Sequence, residues 1–207
     1  MPRTDSSSRS FSRPIRTGGR TAGGGSTEGR FRILGEILSR ARSALPGFPL
    51  LVKLNGYDGR PGGLRIPEAA VQARMAEEAG CDAIEVSCGF PSDGDMTARG
   101  PRLPVEAVLR YGHLLKGLPA FLRPALRAAL PLFARGKTPE FGFNLAAARA
   151  VRESVRIPVI AVGGLHRLAD IEGALASGAA DLVSMCRPLI LEPDLPAKFR
   201  DGRSKAA

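Results

Sequence analysis

Apolar positions along the chain change their spacing in a regular order, and that order predicts alternating helices and strands. Apolar residues recur every three or four positions in several segments, which is typical of helices with one buried face. Other segments are short and almost continuously apolar, as in buried strands. The predicted helices cover residues 31–45, 67–79, 143–155 and 168–176. The predicted strands cover residues 49–55, 83–87, 157–162 and 181–185.

The alternation of these elements indicates an α/β fold. A helix precedes each of four strands that carry few polar residues, which predicts a parallel sheet covered by helices. The order is interrupted at residues 90–140, where prolines break two apolar helical pieces at 105–118 and 121–133. We expect this insertion to form a lid or excursion above the sheet.

The first 26 residues differ in composition from the rest of the chain. They are rich in Ser, Gly, Arg and Thr and contain almost no apolar side chain, which predicts a disordered basic tail at 1–26. Residues 27–207 are then expected to form one domain. No apolar run is long enough to predict a membrane span.

Charge and cysteine content narrow the class of protein further. The net charge is +10, but the basic residues are scattered and lack interleaved aromatic residues, so we predict no nucleic-acid partner. Cys81, Cys88 and Cys186 are an odd number without the spacing of a metal site. We therefore predict free thiols in the cytoplasm and no bound metal.

Two loops that follow predicted strands have the composition of an anion site. Gly163-Gly164 directly follows the third strand, and its missing side chains allow backbone N–H groups to approach an anion closely. Cys186-Arg187 follows the fourth strand and adds N–H groups and a guanidinium. Adjacent loops of this kind form the phosphate site of many barrels. The alternative is structural: a tight turn at the glycines, with Arg187 capping the sheet.

Lys53 is the most unusual residue within a predicted strand. Its neighbours Val52 and Leu54 are apolar, so its charge needs either solvent or an anionic or carbonyl-rich partner. Glu85 on the next strand raises the alternative of a simple ion pair. His113 and His166, the only histidines, have no partner at ligand spacing and are expected to be surface or helix-end residues.

Several of these segments resemble the old yellow enzyme family, the NADH:flavin oxidoreductases. The most distinctive are residues 157–164 (IPVIAVGG) and 180–196 (ADLVSMCRPLILEPDLP), which are similar to the end of that family's barrel. Residues 51–58 and 80–87 look like its fifth and sixth strands, and residues 25–32 look like the start of its fourth helix. The resemblance covers residues 25–203.

The resemblance implies a fold, a cofactor and roles for particular residues. The chain would be the C-terminal half of a TIM (β/α) barrel, with about four parallel strands and their covering helices. FMN phosphate would lie on Gly163, Gly164, Cys186 and Arg187, and Lys53 would touch the flavin pyrimidine at N1/O2. The reaction implied is hydride transfer from NAD(P)H through FMN to a small-molecule acceptor such as an activated alkene.

The family's first four strands have no counterpart here, and with them go its substrate-anion ligands and usual Tyr proton donor. We therefore assign no catalytic residue. A second copy of the chain or a separate N-terminal half would be needed to complete a barrel, and no iron–sulfur cluster is implied. Two other interpretations stay open: a barrel isomerase or aldolase with Lys53 as Schiff-base former, and an inactive fragment without turnover.

Overall fold

The structure, a computed structural model, describes residues 25–58, 62–88, 105–111, 119–134 and 141–203. The described helices are α1 (Thr27–Ala44), α2 (Ile66–Glu78), α3 (Val105–Tyr111), α4 (Arg123–Ala134), α5 (Leu145–Arg152), α6 (Leu168–Ala176), α7 (Arg187–Leu191) and α8 (Leu195–Arg200). The described strands are β1 (Leu51–Asn55), β2 (Ala83–Ser87), β3 (Val159–Val162) and β4 (Leu182–Ser184). A 3₁₀ turn at Ala120–Leu122 precedes α4.

The four strands form one parallel sheet in the order β1-β2-β3-β4, which confirms the predicted fold class. Most of the predicted tail at 1–26 lies outside the described residues. Its last residue, Ser26, caps α1 by accepting a hydrogen bond from Gly29 N at 3.1 Å. In the insertion, α3 packs against α4, while its position above the sheet stays a prediction.

The hydrophobic core lies between one face of the sheet and its helices. Alternate side chains of the strands point to this face, among them the fully buried Ile84, Val86 and Val159. The helices meet them with small residues, mainly alanines of α2 and α5, so the backbones approach closely. α2 packs between α1 and α5, which places three helices side by side over the sheet.

The other set of alternate side chains lies on the opposite face, which we call the inner face. The strand register places Lys53, Glu85, Ile160 and Leu182 in one row across it. Leu51 and Leu182, on the two outermost strands, are 61% and 52% exposed. Within the described residues the inner face is therefore open, unlike the helix-covered face.

Carboxylate–arginine pairs fix the amino ends of the strands. Asp82, just before β2, accepts hydrogen bonds from Leu50 N at 2.7 Å and from Arg42 of α1. Asp181, just before β4, accepts from Val159 N at 2.8 Å and from Arg152 Nε of α5. Each pair, which we call a clamp, ties one strand to the start of the next and to the preceding helix.

Candidate functional site at the carboxyl edge of the sheet

The two loops expected to bind an anion lie at the same edge of the sheet. β3 and β4 are adjacent and parallel, so Gly163-Gly164 after β3 and Cys186-Arg187 after β4 both start from its carboxyl edge. Gly163 and Gly164 have φ angles of +123° and +69°, conformations that an L side chain rarely adopts. Cys186 and Arg187 are exposed. The structure thus brings together four of the five residues expected at the cofactor site.

The glycine loop is supported from behind by the segment that leads into α5. A Cβ atom at Gly163 would lie 2.7 Å from Cζ of Phe143, so the ring fills the space that a side chain would need. Gly142 N donates a hydrogen bond to Gly164 O at 3.3 Å. The conformation of the glycine loop is therefore fixed by both the backbone and the side chain of its neighbour.

Asn144, which the sequence analysis did not single out, joins the ends of β2 and β3. Its Nδ2 donates hydrogen bonds to Val86 O at 2.6 Å and to Val162 O at 3.1 Å, and the residue is 1% exposed. Its Oδ1 has no hydrogen-bond partner within the described part of the chain. The amide therefore sets the spacing of two strands immediately before Gly163.

Lys53, the fifth expected residue, lies on the inner face of the sheet rather than in a loop. It forms an ion pair with Glu85, and the two side chains are 40% and 23% exposed. The row nearer the carboxyl edge consists of Asn55, Ser87, Val162 and Ser184. The ion pair was one of the alternatives that the sequence left open, and it balances the lysine charge inside the sheet.

The other polar candidates lie apart from this arrangement or outside the described residues. His166 packs against Phe141, with ring centroids 5.0 Å apart and ring planes tilted by 42°, and the Arg167 guanidinium lies 3.7 Å from the Phe141 ring centroid. Arg167 also pairs with Asp170, and this hydrogen bond raises the pKa of the arginine above its ordinary value. His113 lies outside the described residues.

The thiols differ in environment. Cys81 is buried, Cys88 partly buried and Cys186 exposed. Burial raises the pKa of the Cys81 thiol above its ordinary value. The described segments contain no group of three or more His, Cys, Asp or Glu residues that could hold a metal ion. None of the helices in those segments is long and apolar enough to cross a membrane.

A shallow cleft of about 430 Å³ lies at the opposite, amino edge of the sheet. It is lined by Arg152 and Asp181 of the second clamp, together with Glu153, Leu175, Gly178 and Ala180. Ligands of parallel α/β sheets bind at the carboxyl ends of the strands. Since Arg152 and Asp181 of the cleft are already paired in the clamp, the carboxyl-edge loops are the better candidate site.

Comparisons with known proteins point to flavin enzymes. The sequence model of the NADH:flavin oxidoreductase / NADH oxidase family matches residues 127–206. The chain is 28% identical to an NADH oxidase of Thermoanaerobacter brockii over 87% of its own length and 22% of that protein. It is 30% identical to a 4,4'-dithiodibutanoate disulfide reductase of Rhodococcus erythropolis over 86% of its own length and 43% of that protein.

Solved structures show the same fold. A 2-naphthoyl-CoA reductase superposes with a TM-score of 0.69 at 24% identity, over 95% of this chain and 24% of that one. An old yellow enzyme homologue from Zymomonas mobilis superposes with a TM-score of 0.59 at 20% identity, over 94% of this chain and 43% of that one. The fold is therefore part of a (β/α) barrel, and the chain spans less than half the length of these relatives.

Proposed function

We propose that this chain is the phosphate-binding half of an FMN-dependent NAD(P)H oxidoreductase, since its residues 127–206 match the sequence model of the NADH:flavin oxidoreductase / NADH oxidase family. The observation that carries the proposal is the pair of neighbouring loops, Gly163-Gly164 and Cys186-Arg187, at the carboxyl edge of β3 and β4. When bound, FMN would accept a hydride from NAD(P)H and pass it to a small-molecule acceptor.

The donor set of these loops fits the phosphate of FMN. Glycines at positive φ leave the backbone accessible, and an arginine provides a charged donor beside them. The support from Phe143 and Asn144 holds the loop in place before a ligand arrives, which reduces the ordering cost of binding. The chain's own contribution is thus to bind and orient the phosphate end of the cofactor.

Lys53 is proposed to lie below the flavin pyrimidine, where negative charge grows on reduction. Its pairing with Glu85 means that the lysine would share its hydrogen bonds between the carboxylate and the flavin. The same pairing gives no support to the Schiff-base alternative, because the amine that would attack a carbonyl is held by Glu85.

Partners and location complete the proposal. The acceptor is a small molecule, neither nucleic acid nor membrane is a partner, and the barrel is completed by a second copy or a separate N-terminal half. We place the protein in the cytoplasm, where an exposed thiol such as that of Cys186 stays reduced.

The test is the visible spectrum of the purified chain after incubation with FMN and removal of unbound flavin. Retained flavin absorbance that NAD(P)H bleaches is the expected result. Arg187→Ala should weaken FMN binding by about 10-fold or more, since a hydrogen bond to a charged group contributes about 1.5–3 kcal/mol. Arg200→Ala, an exposed arginine of α8, is the matched control and should bind as the parent does. Absence of retained flavin, or equal binding by both variants, would contradict the proposal.

A further inference from the structure

The described sheet consists of two copies of one structural unit. Each unit is a helix, a strand, a second helix and a second strand, closed at the amino edge by a clamp. The clamps make Asp82 equivalent to Asp181, and Leu50 equivalent to Val159, because each aspartate accepts a hydrogen bond from the corresponding amide. The pairing inside the units agrees, since Leu51 lies beside Ala83 and the equivalent Ile160 lies beside Leu182.

Within the described residues the two outer edges of the sheet are unpaired, and these edges are equivalent to an interface that the chain already contains. β2 of the first unit pairs with β3 of the second, and these strands correspond to β4 and β1 by the repeat. The free side of β4 therefore corresponds to the side of β2 that binds β3. The free side of β1 corresponds to the side of β3 that binds β2. The edge of β4 can therefore pair in parallel with the edge of β1, in the way that β2 pairs with β3.

The register also fits a closed barrel. Leu51 of β1 lies beside Ala83 of β2, and the β2–β3 register places Ala83 beside residue 158. In the repeat, residue 158 is equivalent to residue 49, because Val159 is equivalent to Leu50. A path across one unit that starts at residue 51 therefore ends at the equivalent of residue 49. One unit thus shifts the register by two residues, one chain by four, and two chains by eight. An eight-stranded parallel barrel of this class has a shear of 8.

Apolar side chains are exposed along both edges. Phe48 and Leu51 at the β1 edge are both 61% exposed. At the β4 edge, Leu182 is 52% exposed, and Ile190 and Leu191 of α7 are 73% and 81% exposed. Unpaired strand edges with exposed apolar residues are surfaces that bind another strand.

We propose that a second copy of this chain binds both edges, so that β4 of each copy pairs with β1 of the other and a two-fold dimer closes an eight-stranded parallel barrel. The two-fold axis runs along the barrel, and both carboxyl-edge loop pairs open to the same mouth. The second copy would thus supply the missing half of the barrel around the proposed flavin site. This inference rests on the proposed function only for the ligand that the closed barrel binds, because the sheet geometry is independent of any cofactor.

The repeat predicts which residues meet across the new interface. Glu85 lies beside Ile160 within the chain, and their equivalents are Ser184 and Leu51. Ser184 of one copy should therefore lie beside Leu51 of the other. Adjacent strands are about 4.8 Å apart, which is close enough for a disulfide between cysteines at these positions.

The experiment mixes two variants of the full chain under oxidising conditions without flavin, in salt sufficient to screen the net charge of +10. Both carry Cys88→Ser and Cys186→Ser, and one adds Leu51→Cys while the other adds Ser184→Cys. The mixture should form a disulfide-linked dimer on a non-reducing gel. Either variant alone should form no such dimer, because the engineered cysteines of two identical copies would lie on opposite sides of the barrel.

Light scattering of the unmodified chain supplies the second measurement. A mass twice the 21.8 kDa of one chain is expected. A monomer, or cross-linking by either variant alone as efficient as that of the mixture, overturns the proposal. Since neither measurement uses FMN, a dimer that binds no flavin would refute the proposed function alone, and a monomer that binds flavin would refute the dimer alone.

Discussion

Asn144 offers the sharpest test of how the glycine loop is held. Its Nδ2 donates to Val86 O and Val162 O from a position that is 1% exposed. Asn144→Ala removes both hydrogen bonds, each of which contributes about 0.5–1.5 kcal/mol net. We therefore expect a loss of about 1–3 kcal/mol in the free energy of unfolding.

Asn144→Asp keeps the shape of the side chain and removes its donor. A buried carboxylate would then face two carbonyl oxygens that it cannot satisfy, and an uncompensated buried charge costs about 3 kcal/mol or more. The aspartate variant should therefore be less stable than the alanine variant at neutral pH. The buried site raises the pKa of the new carboxyl in the folded state, so the difference should shrink as the pH falls and the acid regains a donor.

Urea unfolding followed by far-ultraviolet circular dichroism measures these differences, since the chain contains no Trp to serve as a fluorescent probe. Glu153→Gln is the matched control, because it also exchanges a carboxylate and an amide, but at the exposed end of α5. It should change the free energy of unfolding by less than about 0.5 kcal/mol. An aspartate variant as stable as the alanine variant at neutral pH would refute the hydrogen-bond arrangement described for Asn144.

Three further predictions address the loop, the first clamp and the thiols. Gly163→Ala should lose at least about 1–3 kcal/mol of stability, because φ is +123° and the new Cβ would lie 2.7 Å from the Phe143 ring; adding Phe143→Leu should recover part of the loss in urea unfolding. Hydrogen bonds from a backbone amide and then from an arginine lower the pKa of Asp82, so its stabilising effect is present above the ordinary carboxyl pKa and is lost as the pH falls through the folded-state value. Asp82→Asn should therefore lower the melting temperature at neutral pH but not in strong acid. A thiol reagent should modify Cys186 in the folded protein and Cys81 only after unfolding, because burial protects Cys81 and raises its pKa; equal rates in the folded protein would contradict this burial.

Much of the fold is readable from local patterns. The four strands are short apolar runs, and every described helix except α5 is followed within two residues by glycine or proline, so element order and parallel pairing follow from the sequence pattern. The grouping of the glycine loop with Cys186-Arg187 follows as well, since carboxyl ends of adjacent parallel strands share an edge.

The side-chain partners required the register and the packing. Lys53 had three plausible environments from sequence, and its pairing with Glu85 became evident only from the alignment of β1 with β2. Asn144 resembles an ordinary helix cap, and nothing local shows that its amide reaches back to two strands. The clamps did leave a signal, an aspartate shortly after each glycine that ends a helix, at Asp82 and Asp181.

The clamps that maintain this sheet lie apart from the residues that are proposed to bind the cofactor. Both clamps act at the amino edge, whereas the glycine loop and Arg187 extend from the carboxyl edge. Substitutions that alter the loops leave the amino-edge hydrogen bonds intact, so they need not unfold the chain. Over evolutionary time, the loops of such a scaffold can therefore change their sequence while the hydrogen bonds at the opposite ends of the strands preserve the sheet.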